Sequence, residues 1–198
     1  MTKPARQRKA PVAKRPVGGK NKLESKKVLE APPSTRAANR YFILAFFLWV
    51  LILYGNTVLN KYAVDDEFVT NNPTVREGFK AIPGFFTSYY FTEKGNVSEQ
   101  ASDYRPIVKA TFALEYALWG ERPGVSHLIN VLIYFCLSTA LFFVLKRLLR
   151  NYNILFPFLI ILLFMAHPVH TEVVASLKNR DEMLAFLAAI LALHYLLR

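Results

Sequence analysis

The apolar stretch that decides the fold lies at residues 41–59 and reads YFILAFFLWVLILYGNTVL. It contains no charged residue, and as a helix rising ~1.5 Å per residue it can cross the ~30 Å hydrocarbon layer of a bilayer. Hydrophobic residues make up 53% of the chain and lie in long uninterrupted runs rather than in periodic scatter. The sequence therefore predicts an all-α integral membrane protein.

Three further apolar runs follow this stretch. The run at 127–145 is as long as the first, whereas those at 150–166 and 182–198 are shorter than the ~20 residues usually needed to cross. Basic residues that snorkel at its start can extend the third run. The sequence thus predicts about four transmembrane helices within a membrane domain at 41–198, with a long outer loop at 60–126.

The segment before the first span is strongly basic. Residues 1–40 carry twelve Lys or Arg against Glu24 and Glu30, which accounts for ten of the chain's eleven net positive charges. The segment has few large apolar side chains to bury, so it is predicted to be a disordered tail. A basic arm beside a membrane is typical of the cytoplasmic side, and we favour that interpretation over nucleic-acid binding.

A second basic cluster fixes the predicted orientation. Lys146, Arg147 and Arg150 follow the second span, so two crossings separate them from the tail and both lie on the cytoplasmic side. The loops at 60–126 and 167–180 then share the outer face. Cys136 is the only cysteine and falls in an apolar run, so neither a disulfide framework nor a cysteine metal site is expected.

An acidic motif follows the first span directly. Asp65, Asp66 and Glu67 are consecutive carboxylates within a few residues of the predicted membrane surface. Such residues can simply end an apolar helix. Adjacent carboxylates can also act as a general base for a hydroxyl group, or help to hold a divalent ion.

The densest polar cluster follows the third run. His167, His170 and Glu172 offer imidazole and carboxylate ligands, although their spacing is not that of zinc hydrolases. A turn at the membrane interface is the simpler alternative. Lys178 and Arg180 add positive charge suited to a phosphate group carried on a lipid.

The outer loop contains two segments rich in aromatic and aliphatic residues, at 74–90 and 105–119. Both suit amphipathic helices that lie along the membrane interface, and packing against other helices is the alternative. Arg105 opens the second segment and brings another cation to this face.

Read in chain order, these features resemble the GT-C superfamily of polyprenyl-phosphate-dependent glycosyltransferases. The chain is most similar to the protein O-mannosyltransferases, especially the membrane part of the transmembrane and tetratricopeptide-repeat relatives. The motifs that carry the resemblance are Val64-Asp65-Asp66, Asn72-Pro73, Tyr104-Arg105-Pro106, the run from Phe112 to Gly120, and the run from His167 to Glu172. The resemblance covers residues 41–198, the N-terminal portion of a GT-C-type bundle.

The resemblance implies an inverting sugar transfer on the non-cytoplasmic face. The donor would be a sugar linked to a membrane lipid, and the acceptor a hydroxyl group of a protein or glycan. A multi-pass location follows, in the bacterial inner membrane or in the endoplasmic reticulum of a eukaryote, with a cytoplasmic N-terminus. Such enzymes have many more spans than this chain, so the chain alone is expected to be inactive.

The resemblance also assigns roles to individual residues. Either Asp65 or Asp66 would be the catalytic base. Glu172, with or without His167 and His170, would form the second acidic motif, and whether a divalent metal ion binds there stays open. The candidates for the donor phosphate are Arg105, Lys178 and Arg180.

Two other functions fit the same residues. A membrane scaffold would use the charged outer loops to bind a partner protein. A transporter for ions or metals would need a polar route from Asp65, Asp66 and the His167–Glu172 motif to the cytoplasm. Only His194 continues inward along such a route, so the transporter is the least favoured interpretation.

Overall fold

The computed structural model describes residues 35–63, 66, 72–87 and 104–197, with side chains from Ala38 onward. Asp65 and residues 1–34 of the predicted tail lie outside these ranges. The described residues form helices and turns and contain no strand. The α-helices are α1 (Thr35–Tyr54), α2 (Pro73–Arg76), α3 (Ile82–Phe85), α4 (Pro106–Trp119), α5 (Pro123–Leu148), α6 (Leu155–Ala166), α7 (His170–Ala175) and α8 (Arg180–Leu196), and 3₁₀ turns cover Gly55–Leu59 and Gly78–Ala81.

Two helical stretches are long and apolar enough to cross a membrane, Ala38–Leu59 and Pro123–Leu148. They contain the predicted spans at 41–59 and 127–145. Helix α6 has only 12 residues and extends about 18 Å. Helix α8 has 17 residues and is not among the stretches that meet this length. Two of the four predicted spans are thus supported by length and composition within the part of the chain that the structure describes.

The third predicted span begins later than position 150. Residues 149–154 form turns, and the Asn153 side chain accepts a hydrogen bond from the backbone N–H of Leu155 at 2.9 Å. Because the Asn153 side chain binds this N–H group, the backbone there does not need the hydrogen bonds of a helix before α6 begins. The apolar run therefore supplies fewer helical residues than its sequence length indicates.

Helices α1 and α5 are antiparallel and hold the bundle together. At one end, Lys146 Nζ donates to Asn39 Oδ1 at 2.7 Å. At the other end, the 3₁₀ turn that continues α1 contacts the start of α5. Between these ends, Phe46 packs against Phe142 and Phe158 with ring centroids 5.3 Å apart in both cases. The second end of the bundle therefore receives both the loop after α1 and the loop before α5.

Helix α6 is attached to α1 through its carbonyl groups. Trp49 Nε1 donates to the Leu162 oxygen at 3.3 Å, and the Tyr54 hydroxyl donates to the Met165 oxygen at 3.0 Å. The Met165 carbonyl lies in the last turn of α6, where carbonyls lack partners within the helix, so a side chain of a neighbour can satisfy it. The loop after α6 is thereby brought to the same end as the loop after α1.

A smaller apolar cluster joins the outer loop to this end. Val75, Phe85 and Phe112 are buried together with Leu177, which lies between α7 and α8. The segment predicted as one amphipathic helix from residue 74 is instead three short turns of helix. Gly78 has a φ of +66°, which few other residues adopt, and Pro83 cannot donate a backbone hydrogen bond. These two residues divide the segment, and its last part, 88–90, lies outside the described residues.

Candidate functional site

Asp66 links the acidic motif to the loop before α8. The residue is 1% exposed, and its Oδ1 accepts hydrogen bonds from the backbone N–H groups of Leu177 at 2.9 Å and Lys178 at 3.1 Å. Its Oδ2 accepts from the N–H of Ala63 at 3.0 Å. We call the Leu177 and Lys178 amides bound to Asp66 the amide clamp. It holds together two loops that are more than a hundred residues apart in sequence.

Arg180 lies immediately after the amide clamp and is 0% exposed. Its Nε donates to Asn130 Oδ1 at 2.7 Å, and one terminal nitrogen donates to the Ser126 carbonyl oxygen at 3.0 Å. The other terminal nitrogen donates to Thr111 Oγ1 at 3.1 Å and forms an ion pair with Glu115. Arg180 therefore joins α4, α5 and α8 at one point.

The partners of Arg180 are themselves held in place. Ser126 Oγ donates to the second carboxylate oxygen of Glu115 at 2.7 Å. The amide nitrogen of Asn130 donates to the carbonyl oxygens of Val174 at 3.3 Å and Ser176 at 3.2 Å. The Phe112 ring lies against the guanidinium, with its centroid 3.9 Å from Cζ. The group that we call the Arg180 network consists of Arg180, Thr111, Glu115, Ser126 and Asn130.

The three predicted phosphate ligands differ in accessibility. Arg105 forms an ion pair with Asp181 at 2.7 Å, and its side chain is 32% exposed. Lys178 is exposed, and its backbone belongs to the amide clamp. The Arg180 guanidinium is sealed inside the Arg180 network, so it cannot contact a lipid phosphate in this conformation. In this conformation Arg180 therefore binds protein groups, whereas Arg105 and Lys178 remain accessible.

The second acidic motif, for which metal binding was left open, has a dispersed arrangement in the described structure. Among the described residues no three His, Cys, Asp or Glu side chains converge around a point that could hold a metal ion. His170 and Glu172 are two positions apart on α7 and so point away from each other, and His167 precedes the helix. His167, His170 and Glu172 therefore do not converge on a common ligand position in this conformation.

The two histidines of this motif have different surroundings. The His170 ring packs on Phe164 with ring centroids 4.3 Å apart, while His167 is exposed and its Nδ1 accepts from the Val169 N–H at 3.2 Å. Burial lowers the pKa of His170, and the neighbouring His167 adds to this effect. His170 is therefore favoured in its neutral form at neutral pH. Glu172 is exposed.

Two other ionisable side chains near the site are shielded from water, Lys109 being buried and Tyr62 half-buried. Burial lowers the pKa of Lys109 on α4 to about 8. Tyr62, in the loop after α1, lies beside Glu115 and Ser126, and its burial raises the pKa of the phenol. Neither residue was predicted from the sequence to take part in the site, although both fall in the predicted outer loop at 60–126.

The sequence also gave little indication of Glu115, Ser126 and Asn130. Glu115 occupies the same face of α4 as Val108 and Phe112, which is an unusual place for a lone carboxylate. Asn130 lies inside an apolar span, where a polar side chain commonly has a structural or functional partner. These two signals could have identified the Arg180 network, but they do not indicate which residues pair.

Comparison with known proteins identifies the family. No protein-family model matches the chain, and no solved structure matches it significantly. The chain is 37% identical over 149 residues to human protein O-mannosyl-transferase TMTC3, with 72% of the chain and 16% of the relative aligned. It is 31% identical over 143 residues to human protein O-mannosyl-transferase TMTC1, with 71% of the chain and 16% of the relative aligned.

A nematode relative gives the same result. Protein O-mannosyl-transferase F38B6.6 of Caenorhabditis elegans is 30% identical over 148 residues, which cover 72% of the chain and 21% of the relative. The chain thus matches only 16% to 21% of the length of these three proteins. Their agreement over more than two thirds of this sequence shows that the chain is homologous to protein O-mannosyl-transferases of the TMTC family.

Proposed function

We propose that this chain supplies the N-terminal part of a GT-C-type membrane glycosyltransferase. The enzyme transfers mannose from a polyprenyl-phosphate donor to a hydroxyl group of a protein on the non-cytoplasmic face. The observation that carries the proposal is the amide clamp, because it holds Asp66 of the acidic motif against the loop between α7 and α8. The names of the relatives support mannose as the sugar and protein as the acceptor.

The two aspartates have different parts in this proposal. Both carboxylate oxygens of Asp66 accept backbone hydrogen bonds, so Asp66 fixes the loop. Asp65 is then the base. It accepts the proton of the acceptor hydroxyl while that oxygen forms a bond to the anomeric carbon of mannose. The bond from this carbon to the donor phosphate breaks, and its electron pair leaves with the phosphate oxygen.

Arg105 and Lys178 are the proposed contacts of the donor phosphate. Both can be reached from solvent, and Lys178 is tied to Asp66 through its own backbone N–H. Negative charge grows on the phosphate as it departs, and nearby cations stabilise that charge. Glu172 lies exposed at the start of α7 and is proposed to accept a hydrogen bond from a sugar or acceptor hydroxyl.

The proposal is tested in the full-length protein. We expect Asp65→Asn to abolish mannose transfer from a polyprenyl-phosphate donor to an acceptor protein, because an amide cannot accept the proton. Glu77→Gln is the matched control, since Glu77 is an exposed acidic residue of the same outer loop. Its activity should equal that of the unmodified protein. Undiminished transfer by Asp65→Asn would exclude Asp65 as the base.

A further inference from the structure

We infer that the Arg180 network is a positioning device for the amide clamp. Glu115, Asn130 and Arg180 then influence the transfer step without touching the donor or the acceptor. This inference rests on the proposed function, in which Asp65 is the base and Asp66 sets its place. It concerns the link between outer-loop helix α4 and the loop that carries Leu177 and Lys178.

The loop between α7 and α8 is held from both sides of the clamp. On the N-terminal side, the Asn130 amide nitrogen donates to the carbonyl oxygens of Val174 and Ser176. On the C-terminal side, the side chain of Arg180 is anchored in the network. Only the residues between these anchors are left to present N–H groups to Asp66. The position of the two amides therefore depends on Asn130 and Arg180.

Asn130 connects the two anchors directly. Its amide nitrogen binds the start of the loop, and its Oδ1 accepts from Arg180 Nε at 2.7 Å. The Asn130 side chain thus sets the distance between the two ends of the loop between α7 and α8, which we call the clamp loop. A shift of Arg180 would be passed to the clamp through Asn130 as well as through the backbone.

Glu115 keeps Arg180 in this position. A buried guanidinium is costly unless a carboxylate offsets its charge, and Glu115 is the residue that forms its ion pair. Ser126 orients the same carboxylate through its hydroxyl at 2.7 Å. Loss of the Glu115 charge would remove this ion pair from a buried cation. We expect Arg180 to move toward water in that case, and the clamp loop to move with it.

A buried ion pair is weak evidence for stability, because an apolar pair of similar volume often stabilises a fold equally well. The Arg180 network instead provides hydrogen bonds of defined geometry. From α8, the guanidinium donates to groups of the two helices α4 and α5 at fixed angles, which a lysine ammonium or an apolar side chain cannot reproduce. The arrangement suits a loop whose amides must meet one carboxylate within a few tenths of an ångström.

The experiment uses Glu115→Gln in the full-length protein, with Glu121→Gln as the matched control. Glu121 pairs with Arg76 at 3.0 Å on the surface, where both side chains are more than 40% exposed. The two variants make the same chemical change near the same outer-loop helix. Ser126→Ala and Thr111→Val are milder variants of the network, in case Glu115→Gln fails to fold, because each removes one hydroxyl and keeps the ion pair.

Two measurements are made on each variant. Hydrogen exchange by mass spectrometry follows the peptide that contains residues 176–180, and steady-state kinetics give kcat and the KM for the lipid-linked donor. In Glu115→Gln we expect exchange at the clamp to be roughly tenfold faster or more. We expect kcat per folded molecule to fall by roughly tenfold or more, with the KM for the donor unchanged. The milder variants should show smaller changes in the same direction.

The outcomes separate this inference from the proposed function. Unchanged exchange in the network variants, or an equal change in Glu121→Gln, overturns the inference. Faster exchange with unchanged kcat per folded molecule also overturns it, since the network would then serve stability alone. If Asp65→Asn stays active, the proposed function fails. The exchange measurement needs no activity, so it still tests the link from Glu115 to the clamp.

Discussion

Lys109 is the most unusual single residue outside the Arg180 network. Its side chain lies on α4 with 2% of the residue exposed, and its Nζ is 5.7 Å from the centroid of the Phe85 ring. Burial lowers its pKa from the ordinary 10.5 to about 8. The folded chain therefore releases this proton at a lower pH than the unfolded chain does.

The shift has a definite sign for stability. Between pH ~8 and ~10.5 the unfolded chain binds more protons at this lysine, so the folded state gains stability as the pH rises. We expect Lys109→Met to unfold at a higher temperature than the unmodified protein at pH 7, by at least about 2 °C. The difference should shrink toward pH 10.

The measurement is thermal unfolding of the full-length protein in detergent from pH 7 to pH 10. Lys80→Met is the control, because Lys80 is an exposed lysine of the same outer loop and its removal should have no such pH dependence. If the difference in unfolding temperature between Lys109→Met and the unmodified protein stays constant from pH 7 to pH 10, the expected pH dependence is contradicted.

For individual residues, the sequence indicates which side chains are charged more readily than it indicates which groups they bind. Asp66 and Lys178 were predicted to lie on one face, and the amide clamp brings them together. This bond is made by the backbone N–H of Lys178 and not by its ammonium group. A pattern of charged side chains cannot predict a backbone bond of this kind. Arg180 was predicted from the same pattern, but its ion pair with Glu115 depends on how α4 packs and could not be derived from spacing.

At the element scale, the approach of α5 to the 3₁₀ turn after α1 depends on one glycine. A Cβ placed on Gly124 would lie 2.8 Å from the backbone oxygen of Val58. Backbone atoms of a packed turn cannot move aside as the tip of a flexible side chain can. Gly124 therefore permits the close contact between the loop after α1 and the start of α5.

We expect Gly124→Ala to destabilise the folded protein by about 1–3 kcal/mol, because the new methyl group forces the two elements apart. Gly84→Ala is the control, since no atom lies within 4 Å of a Cβ at that exposed helical position. It should be neutral or slightly stabilising. Both are compared by thermal unfolding of the full-length protein. An equal effect of the two substitutions would contradict a destabilising contact between the new methyl group and Val58.

Element boundaries show what hydropathy can and cannot predict. The first two spans were predicted well, because a long uncharged run has few structural alternatives. The start of α6 was missed because Asn153 pairs with the backbone of Leu155, a local polar effect within an apolar context. The division of the segment from residue 74 depends on the positive φ of Gly78. The aromatic residues around this glycine suggested an uninterrupted helix.

At the scale of the whole molecule, the loop after α1 and the loops around α7 meet at one end of the bundle, and Asn39 and Lys146 meet at the other. This arrangement agrees with the predicted sharing of one face. It leads to a topology that can be measured. Residues at the end with the amide clamp should face away from the cytoplasm, and residues at the opposite end should face the cytoplasm.

Cysteine labelling tests this topology. In a full-length protein with Cys136 and any other cysteines replaced, we introduce Lys61→Cys and Val169→Cys at the clamp end and Tyr152→Cys at the other, all at exposed positions. An impermeant thiol reagent on sealed vesicles of known orientation should modify positions 61 and 169 from the same side. It should reach position 152 only after permeabilisation. Opposite accessibility of positions 61 and 169 would refute a common face.

The attachment of α6 to α1 bears on how deep the clamp sits. A helix of 12 residues is too short to fix its own height in a bilayer, and small changes in lipid thickness would let it slide. Its carbonyl oxygens at Leu162 and Met165 are bound by Trp49 and Tyr54, which belong to a helix long enough to hold its level. We therefore expect helix α1 to set the depth of α6 in the bilayer. The height of the amide clamp above the lipid tails would then depend on the length of α1.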